Sequence, residues 1–471
     1  MTQTKPPLMD WDEFAQKGAE IAAWGAQYHR TLAERAVRAP LEPGAVRARF
    51  DPSPPESGAG LDGILAEIDE KILPGLTHWQ HPRFFAYFPS NATPPSMLAD
   101  FVASIVAQQC MLWQTSPAGT EVETLMLDWL RQGLGLPEGF HGVVQDSASS
   151  ATLAAVLTMR ERTLDWAGNQ QGLSGQPRLR VYASAEVHSS VDRAIWVAGI
   201  GGDNLVRIPT QGPLRSMDPK ALRAAIAADR AAGYLPAGVI ACTGGTGTGA
   251  CDDLRAVLSV ARDEDLYSHV DAAWAGAAMI CPEFRPLWQG VEAADSIVLN
   301  PHKWMGVNFD FSAHFLRDPE PLVKTLAIQP EYLRTHGKGG FVNYSEWSVP
   351  LGRRFRALKL WFVLKAYGLE GLRGVMRDHV RWSQALAGDL RRDARFEIVT
   401  EPVLSLFTFK LVGATDAQML DYVSRINDDG RIYVTQGHTQ GQIVVRFQVG
   451  SFAATEADVQ LAGAVLRELA G

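Results

Sequence analysis

The nine residues 296-SIVLNPHKW-304 join a short apolar run to a lysine that directly follows a histidine. The run Ser296–Leu299 has the length and composition of a buried strand, so Lys303 lies just beyond the end of a predicted strand. A partly buried amine near other charges can react with an aldehyde. For this stretch taken alone, a surface lysine is an equally good explanation.

Further apolar runs occur between about residues 140 and 320, and stretches with helical spacing separate them. This alternation predicts a parallel α/β sheet, in which ligands bind beyond the carboxyl ends of the strands. The residues that follow each run are therefore the candidates for a functional site. The clearest runs are 180-RVYA-183, 238-GVIA-241 and 296-SIVL-299.

Two of these strand ends carry an acid and an imidazole. Asp271, in 269-HVDAAW-274, offers a carboxylate that can pair with a protonated pyridine nitrogen and keep that ring electron-poor. His188, in 186-EVHSSV-191, offers an imidazole that can stack on such a ring. The ordinary alternatives are a capping acid and a structural histidine.

Two more strand ends are suited to close backbone contact with a ligand. The stretch 145-QDSASSAT-152 precedes a predicted helix, whose free N–H groups and serine hydroxyls can hold a phosphate. The stretch 243-TGGTGTG-249 is so rich in glycine that its backbone can approach a ligand closely. A cap and a flexible turn explain each of them separately, but chance does not explain five such features after successive strands.

An N-terminal helix is predicted before the connector 51–60, which is rich in Pro, Gly and Ser. Its apolar residues recur at helical spacing and form one broad stripe. Because so short a segment cannot enclose a core, we expect the stripe to pack on the main body or, as we favour, on a second copy of the chain. The stripe consists of Trp11, Phe14, Ile21, Trp24, Tyr28 and Leu32.

The C-terminal part is predicted to be a smaller α+β unit. Beyond Leu360, a helical stretch leads to strand-like runs at 404–410 and 442–448. A closing helix begins at Thr455, with Asp458 as its cap partner. We therefore predict three parts of the chain: an N-terminal helical segment, a large α/β domain and a small C-terminal domain. They comprise residues 1–80, 81–360 and 361–471.

The composition argues against several classes of protein. The 471 residues, 46% of them hydrophobic, are enough for a large core, and a net charge of −8 argues against a nucleic-acid partner. The chain has no basic leader with an apolar core and no run of 18 apolar residues, so we expect a cytoplasmic protein without a membrane partner. The four cysteines lack C-x-x-C spacing, so we expect reduced thiols and no metal site.

Taken in order, the motifs resemble the group II decarboxylases that depend on pyridoxal phosphate (PLP), and most closely those that act on aromatic L-amino acids. The resemblance extends over nearly the whole chain. It implies PLP fold type I, with a mainly parallel central sheet, a helical N-terminal segment and a small α+β C-terminal domain. The stretches that carry it are 78-HWQHP-82, 85-FAYFP-89, 127-LDWL-130, 269-HVDAA-273, 281-CPEFR-285, 300-NPHKW-304 and 350-PLGRRF-355.

The resemblance also implies a role for individual residues toward pyridoxal 5'-phosphate. Lys303 would bind the cofactor covalently, Asp271 would pair with its ring nitrogen, and His188 would stack on the ring. Tyr332 would protonate the α-carbon after carbon dioxide leaves. The other cofactor-binding residues would be Ser147, Ala148, Ser149, Thr246, Ala273, Asn300 and His302. The substrate would contact Trp79, Tyr87, Phe88, Pro89, Ser90, His188 and Gly352.

The implied activity converts an aromatic L-amino acid to an amine and carbon dioxide. Candidate substrates are tryptophan, 5-hydroxytryptophan, DOPA, tyrosine and phenylalanine, and Gly352 is the residue associated with room for an indole. Tyr332 favours amine formation over the aldehyde synthases, where phenylalanine is found. An aromatic aldehyde synthase, a group II decarboxylase of a non-aromatic amino acid and a non-catalytic homologue are the alternatives. Family members are homodimers with the active site at the interface, and we predict the same assembly here.

Overall fold

In the computed structural model, which describes residues 9–328 and 342–471, a seven-stranded sheet forms the centre of the chain. Strands and helices alternate along the sequence, as the apolar runs predict. Two very short strands form a separate hairpin. In chain order the strands of this part are β1 (His141–Gln145), β2 (Leu179–Ser184), β3 (Leu205–Ile208), the hairpin strands β4 (Thr210–Gln211) and β5 (Ser216–Met217), β6 (Leu235–Cys242), β7 (Tyr267–Asp271), β8 (Ser296–Leu299) and β9 (Ser312–Leu316).

The order of strands across the large sheet is β1-β9-β8-β7-β6-β2-β3. Neighbouring strands from β8 to β3 are parallel, whereas β9 is antiparallel to both β8 and β1. Every residue of β7, β8 and β9 is buried, which requires cover on both faces of the sheet. The predicted α/β class with a mainly parallel central sheet is confirmed.

Helices connect these strands and continue beyond them at both ends of the sequence. The helices before β9 are α1 (Trp11–Thr31), α2 (Ile64–Glu67), α3 (Pro94–Val106), α4 (Pro117–Leu134), α5 (Ala148–Thr163), α6 (Ala167–Gln171), α7 (Ser190–Val197), α8 (Pro219–Ala231), α9 (Leu254–Asp263) and α10 (Pro301–Trp304). Those after β9 are α11 (Glu320–Leu326), α12 (Ala357–Arg391), α13 (Asp416–Asp429) and α14 (Glu456–Leu469).

The C-terminal part contains a second, antiparallel sheet, and the predicted small α+β domain is confirmed. Its four strands have the order β10-β11-β13-β12. Leu404, predicted to lie in a strand, lies instead in the turn between the first two strands, with a left-handed φ of 51°. Thr455 and Asp458 form the predicted reciprocal cap of α14. The strands are β10 (Phe396–Val403), β11 (Leu406–Leu411), β12 (Thr435–Thr439) and β13 (Gln442–Gln448).

The helix α12 crosses the predicted boundary between residues 360 and 361. Near its start, Leu360 packs into the core beneath the large sheet. Near its end, Leu386 and Leu390 pack into the core of the small domain. Gly368, with φ of 61°, interrupts the helical backbone between these two parts. The two predicted domains therefore share one helix, because its two halves bury their apolar faces in different cores.

The N-terminal helix α1 divides its apolar stripe between its own chain and open surface. Asp10 caps the helix by accepting hydrogen bonds from the Asp12 and Glu13 backbone. The Tyr28 hydroxyl is hydrogen-bonded to His78 Nδ1 at 2.9 Å, whereas Trp11 is 78% exposed and Ile21 is 51% exposed. Part of the stripe is therefore available to a second molecule.

The described residues contain no membrane-spanning helix, no metal-binding cluster and no disulfide bond. In the residues with described positions, no helix is long and apolar enough to cross a bilayer. Nor does this part of the chain contain a cluster of His, Cys, Asp and Glu that could hold a metal ion. All four cysteines are buried and free, as the predicted reduced thiols would be.

A buried ion pair fixes α4 to the edge of the large sheet. The Glu123 and Arg353 side chains, which are 2% and 3% exposed, are joined by a short hydrogen bond. Glu123 also accepts a hydrogen bond from the Val144 backbone N–H at 2.9 Å, and Arg353 donates to the Val144 carbonyl at 3.0 Å. The pair thus holds β1 to two other parts of the chain.

Glu123→Gln is expected to lower the free energy of unfolding by about 3 kcal/mol, because it leaves the buried Arg353 charge without a counter-charge. Urea unfolding of the cofactor-free protein measures the change. The control is Glu283→Gln, which breaks an exposed pair with Arg377 and should cost less than about 1 kcal/mol. Equal effects of the two substitutions would contradict the anchoring role of Glu123.

Candidate active site

The polar residues predicted as a site follow neighbouring strands of the large sheet. Asp271 is the last residue of β7, and residues 300–303 follow β8 directly. Thr246 follows β6, and His188 follows β2. These four strands are adjacent and parallel, so their carboxyl ends meet at one edge of the sheet. The structure therefore brings these predicted residues to one place.

Lys303 is partly buried in the one-turn helix α10. Its amine makes no hydrogen bond or ion pair with any residue in the ranges 9–328 and 342–471. Burial lowers the pKa of Lys303 to about 8; the Asp271 carboxylate opposes this change, and Arg446 adds to it. An appreciable fraction of the amine is therefore neutral near pH 7, as a nucleophile requires.

Asp271 is a buried carboxylate with one unoccupied oxygen. Its side chain belongs to a residue that is 7% exposed, and Oδ1 accepts a hydrogen bond from the Ala273 backbone N–H at 3.0 Å. Oδ2 accepts none from the described part of the chain. Such an oxygen can accept a hydrogen bond from the N–H of a cationic ring nitrogen and so stabilise the protonated ring.

His188 has a defined tautomer in its neutral form. Its Nδ1 accepts a hydrogen bond from the Ser190 backbone N–H at 3.1 Å, so the ring proton lies on Nε2. The residue is exposed, yet the protein atoms around the ring desolvate it and lower its pKa. Asp271 opposes this lowering, and Lys303 adds to it. The imidazole is therefore a neutral Nε2–H donor at neutral pH.

The N-terminus of α5 lies against the ends of β7 and β8. Ala148 packs in a small apolar cluster with Ala151, Val298 and Ala273. Ser147 caps the helix by accepting a hydrogen bond from the Ser150 backbone N–H at 3.2 Å, and Ser149 is exposed. The first N–H groups of a helix have no intrahelical acceptor, and the helix dipole favours an anion there.

Asn300 and His302 are buried, and each keeps one donor free. Asn300 Oδ1 accepts from the Ser312 hydroxyl at 2.6 Å, and His302 Nδ1 accepts from the Phe311 backbone N–H at 3.0 Å. Burial lowers the pKa of His302 to about 3, so the ring is neutral and its proton lies on Nε2. Asn300 Nδ2 and His302 Nε2 have no partner among the residues with described positions. Both are available to a ligand.

The predicted substrate residues divide into exposed and buried groups. Trp79 and Tyr87, called here the aromatic wall, are 42% and 48% exposed and stack with ring centroids 5.6 Å apart. Phe88 is buried instead, with its ring 5.0 Å from that of Trp274, and therefore belongs to the core. The Ser90 hydroxyl donates to the His302 carbonyl at 3.2 Å, which joins this segment to α10. Pro89 is buried beside it in the chain.

For two predicted site residues, Gly352 and Tyr332, no described contact links the residue to Lys303. Gly352 is exposed, and a Cβ at that position would lie 3.4 Å from Gln109 Nε2. The next residue, Arg353, donates its backbone N–H to Gln109 Oε1 at 2.6 Å. Tyr332 lies outside the described residues.

Sequence analysis missed two buried polar residues beside the site. The Asn91 amide donates to the carbonyls of Lys303 at 2.5 Å and Gly450 at 2.7 Å. Arg446 donates from Nε to the Thr246 carbonyl at 2.6 Å, and from Nη1 to the Tyr87 carbonyl. The available signal for Arg446 was a single charge within the apolar run 443-IVVRF-447, at a position where a buried strand normally has none.

Comparisons with known proteins cover nearly the whole chain. The family model for the pyridoxal-dependent decarboxylase conserved domain matches residues 43–412. The aromatic-L-amino-acid decarboxylase of Rattus norvegicus is 40% identical, over 98% of this chain and 98% of its own. The phenylacetaldehyde synthase of Arabidopsis thaliana is 34% identical, over 98% and 96%. The crystal structure of Oryza sativa TDC with PLP and tryptamine superposes with a TM-score of 0.95, at 33% identity and 99% coverage of both chains.

Asp271→Asn is expected to lower the pKa of the Lys303 amine below about 8, because the lost carboxylate favours the protonated amine. Competitive acylation of the ligand-free protein at a series of pH values, with the Lys303 peptide quantified by mass spectrometry, gives this pKa. Asp128→Asn removes a surface carboxylate on α4 and should leave the pKa of Lys303 unchanged. A Lys303 pKa that stays constant or rises in Asp271→Asn would refute the electrostatic coupling.

Proposed function

Because the chain belongs to the family of pyridoxal-dependent decarboxylases, we propose that it is a carboxy-lyase that converts an aromatic L-amino acid to its amine and carbon dioxide. The observation that carries the proposal is the Lys303 amine, which has no partner among the residues with described positions and lies at the same sheet edge as Asp271 and His188. The candidate substrates are tryptophan, 5-hydroxytryptophan, DOPA, tyrosine and phenylalanine.

The residues at this edge fit pyridoxal 5'-phosphate, the cofactor of the family. The Lys303 amine, which has no partner among the described residues, is suited to bind the cofactor's aldehyde, and Asp271 Oδ2 is suited to accept a hydrogen bond from the protonated ring nitrogen. The N-terminus of α5, with the free donors of Asn300 and His302, is suited to hold the phosphate. When bound, the cofactor supplies an electron sink for the pair left by the departing carboxyl group.

The chain's own residues have to orient the substrate and move protons. The site must hold the bond from the α-carbon to the carboxylate perpendicular to the cofactor ring, because only that alignment lets its electrons enter the π system. The neutral His188 ring would stack on the bound cofactor, and its Nε2–H would be available to donate a hydrogen bond to the substrate. Tyr332 donates the proton that replaces the carboxyl group on the α-carbon.

The aromatic wall supports an aromatic substrate. Trp79 and Tyr87 present two large, partly exposed rings beside a segment that is hydrogen-bonded to α10. Ring-to-ring contact with a substrate side chain would bury this apolar surface and add about 0.5–1.5 kcal/mol beyond the burial itself. Aldehyde formation is the second candidate activity, because one of the relatives is a phenylacetaldehyde synthase.

The test is product analysis with the PLP-loaded protein, given L-tryptophan, 5-hydroxytryptophan, L-DOPA, L-tyrosine, L-phenylalanine or L-glutamate separately. We expect amine and carbon dioxide in equal amounts from an aromatic acid. Lys303→Ala should abolish turnover, and Tyr332→Phe should shift the product toward aldehyde. Aldehyde with peroxide from the unaltered protein would identify an aldehyde synthase, and activity on glutamate alone would identify a non-aromatic decarboxylase. The absence of turnover would identify a non-catalytic homologue.

An apolar surface on α1 and α3 supports a homodimer. Phe14 of α1 stacks on Phe101 of α3, with ring centroids 5.9 Å apart, so the two helices form one continuous surface. A patch of this kind on a soluble protein marks an interface. Gln109, which accepts a hydrogen bond from the Arg353 backbone next to Gly352, follows α3 closely in the chain, so we propose that Gly352 reaches a site at the dimer interface. The exposed apolar residues of α3 are Met97, Leu98, Phe101, Val102, Ile105 and Val106.

The double substitution Leu98→Lys with Ile105→Glu is expected to convert the dimer to a monomer, because it places two charges in the apolar surface of α3. Light scattering at micromolar concentration measures the mass. Leu420→Lys, on the exposed face of α13, is the control and should leave the dimer intact. A monomeric wild-type protein, or a double variant that is still dimeric, would refute this interface.

A further inference from the structure

Arg446 is a buried cation without an acidic partner. It is 4% exposed, and no ion pair joins it to a carboxylate in the described part of the chain. Its Nη2 is buried and makes no hydrogen bond with residues 9–328 or 342–471. Burial lowers the pKa of Arg446 to about 9, so the guanidinium is still charged at neutral pH. An unpaired buried charge costs stability, so its presence requires another explanation.

The two acceptors of Arg446 belong to different walls of the site. One is the carbonyl of Tyr87 in the aromatic wall, whose backbone has a left-handed φ of 43°. The other is the carbonyl of Thr246 in the glycine-rich loop (243–249). Arg446 itself belongs to β13 of the small domain. One planar, rigid guanidinium thus joins three parts of the chain that are far apart in sequence.

We propose that Arg446 is a positioning residue, which holds the aromatic wall and the glycine-rich loop at a set separation on the two sides of the substrate site. The inference deepens the proposed function, since the separation matters for an aromatic substrate bound beside the cofactor.

Arg446 is the hydrogen-bond partner of Thr246 in the glycine-rich loop. The loop is also closed by backbone hydrogen bonds from Gly244 and Gly245 to the Ala250 carbonyl and from Gly249 to the Gly245 carbonyl. At its other end, the loop is held by the Thr248 hydroxyl, which donates to Glu186 at 2.8 Å, and Glu186 is paired with Arg215 at 2.7 Å. Thr246 makes no other hydrogen bond with the described residues. Thr246 lies inside the turn that the hydrogen bond from Gly249 to the Gly245 carbonyl closes, and Gly247, whose position is uncrowded, separates it from the attachment at Thr248. The bond from Arg446 is therefore the direct contact that sets the position of the Thr246 carbonyl.

Arg446 also holds the backbone of the aromatic wall at Tyr87. The Tyr87 carbonyl accepts a hydrogen bond only from Arg446 among the residues with described positions. This bond holds the backbone of the exposed ring that stacks on Trp79. The Tyr87 ring also contacts Tyr433 and Phe84, with centroids 6.3 and 6.5 Å away. We therefore expect loss of the bond to relax the left-handed backbone at Tyr87 and to shift the ring against these neighbours.

The charge of Arg446 also reaches the reactive amine. Arg446 is a cation that lowers the pKa of Lys303, against the opposing effect of Asp271. The other titratable groups near this amine, His188 and His302, have lowered pKa values and are neutral near pH 7. Two effects of Arg446, one geometric and one electrostatic, are therefore separable by substitution.

The test compares Arg446→Lys, which keeps the charge but cannot hold both carbonyls, with Arg446→Gln, which also loses the charge. In the cofactor-free protein we expect hydrogen exchange in residues 84–90 and 243–249 to be about threefold faster or more in both variants. The pKa of Lys303, measured by competitive acylation, should rise by about half a unit or more in Arg446→Gln alone.

In the loaded enzyme, both variants should raise KM for the aromatic substrate by roughly tenfold. Arg425→Gln, on the exposed face of α13, is the matched control and should change none of these.

Unchanged hydrogen exchange in both segments of a folded Arg446→Lys protein would overturn the positioning role. If Arg446→Gln fails to fold, hydrogen exchange in Arg446→Lys still tests the positioning role, because the lysine keeps the buried charge and a hydrogen-bond donor. The exchange and acylation measurements need neither cofactor nor substrate. A wild-type protein that made no amine would therefore refute the proposed function and leave the test of Arg446 intact.

Discussion

The parallel pairing of β6, β7 and β8 is the constraint on which the rest of the site depends. Its register places Asp271 opposite Cys242 on one side and Val298 on the other. Val298 lies two residues before the segment 300–303, so the register brings Asp271 close to the segment that contains Lys303. Paired strands cannot slip by one residue without moving buried side chains to the opposite face. The Asp271 carboxylate therefore raises the pKa of the Lys303 amine without a direct bond, whereas desolvation at this edge lowers that pKa to about 8.

The small domain contributes to the site through hydrogen bonds to backbone carbonyls. Asn91 of the large domain donates to the carbonyls of Lys303 and of Gly450 in the small domain. Arg446 of the small domain donates to the carbonyls of Thr246 and Tyr87 in the large domain. These side chains donate to carbonyl groups, which any residue type can supply. Rearrangement of the small domain would thus change the position of both walls, although the reactive side chains themselves belong to the large domain.

The stretch 84–88 shows why a motif alone does not assign the role of an aromatic residue. Phe85 packs on Phe447 in the core of the small domain, and Phe88 packs on Trp274 in the core of the large domain. Tyr87, between buried neighbours, is 48% exposed, and its backbone has a left-handed φ of 43°. The family resemblance implies substrate contacts for Tyr87 and Phe88, and of these two the structure exposes the Tyr87 ring and packs the Phe88 ring in the core of the large domain.

The sequence alone predicted the α/β class and the cap of α14. It also predicted the strands before His188 and Lys303 and the position of Asp271 at the end of its strand. These features are predictable because strand period, strand ends and caps are local patterns. The sequence did not reveal the turn at Leu404 or the role of Arg446. Those depend on a left-handed backbone residue and on hydrogen bonds between parts of the chain that are far apart. Tertiary structure alone decided which polar groups have no partner in the chain and are available to a ligand, since that is set by every neighbour in space and by no local pattern.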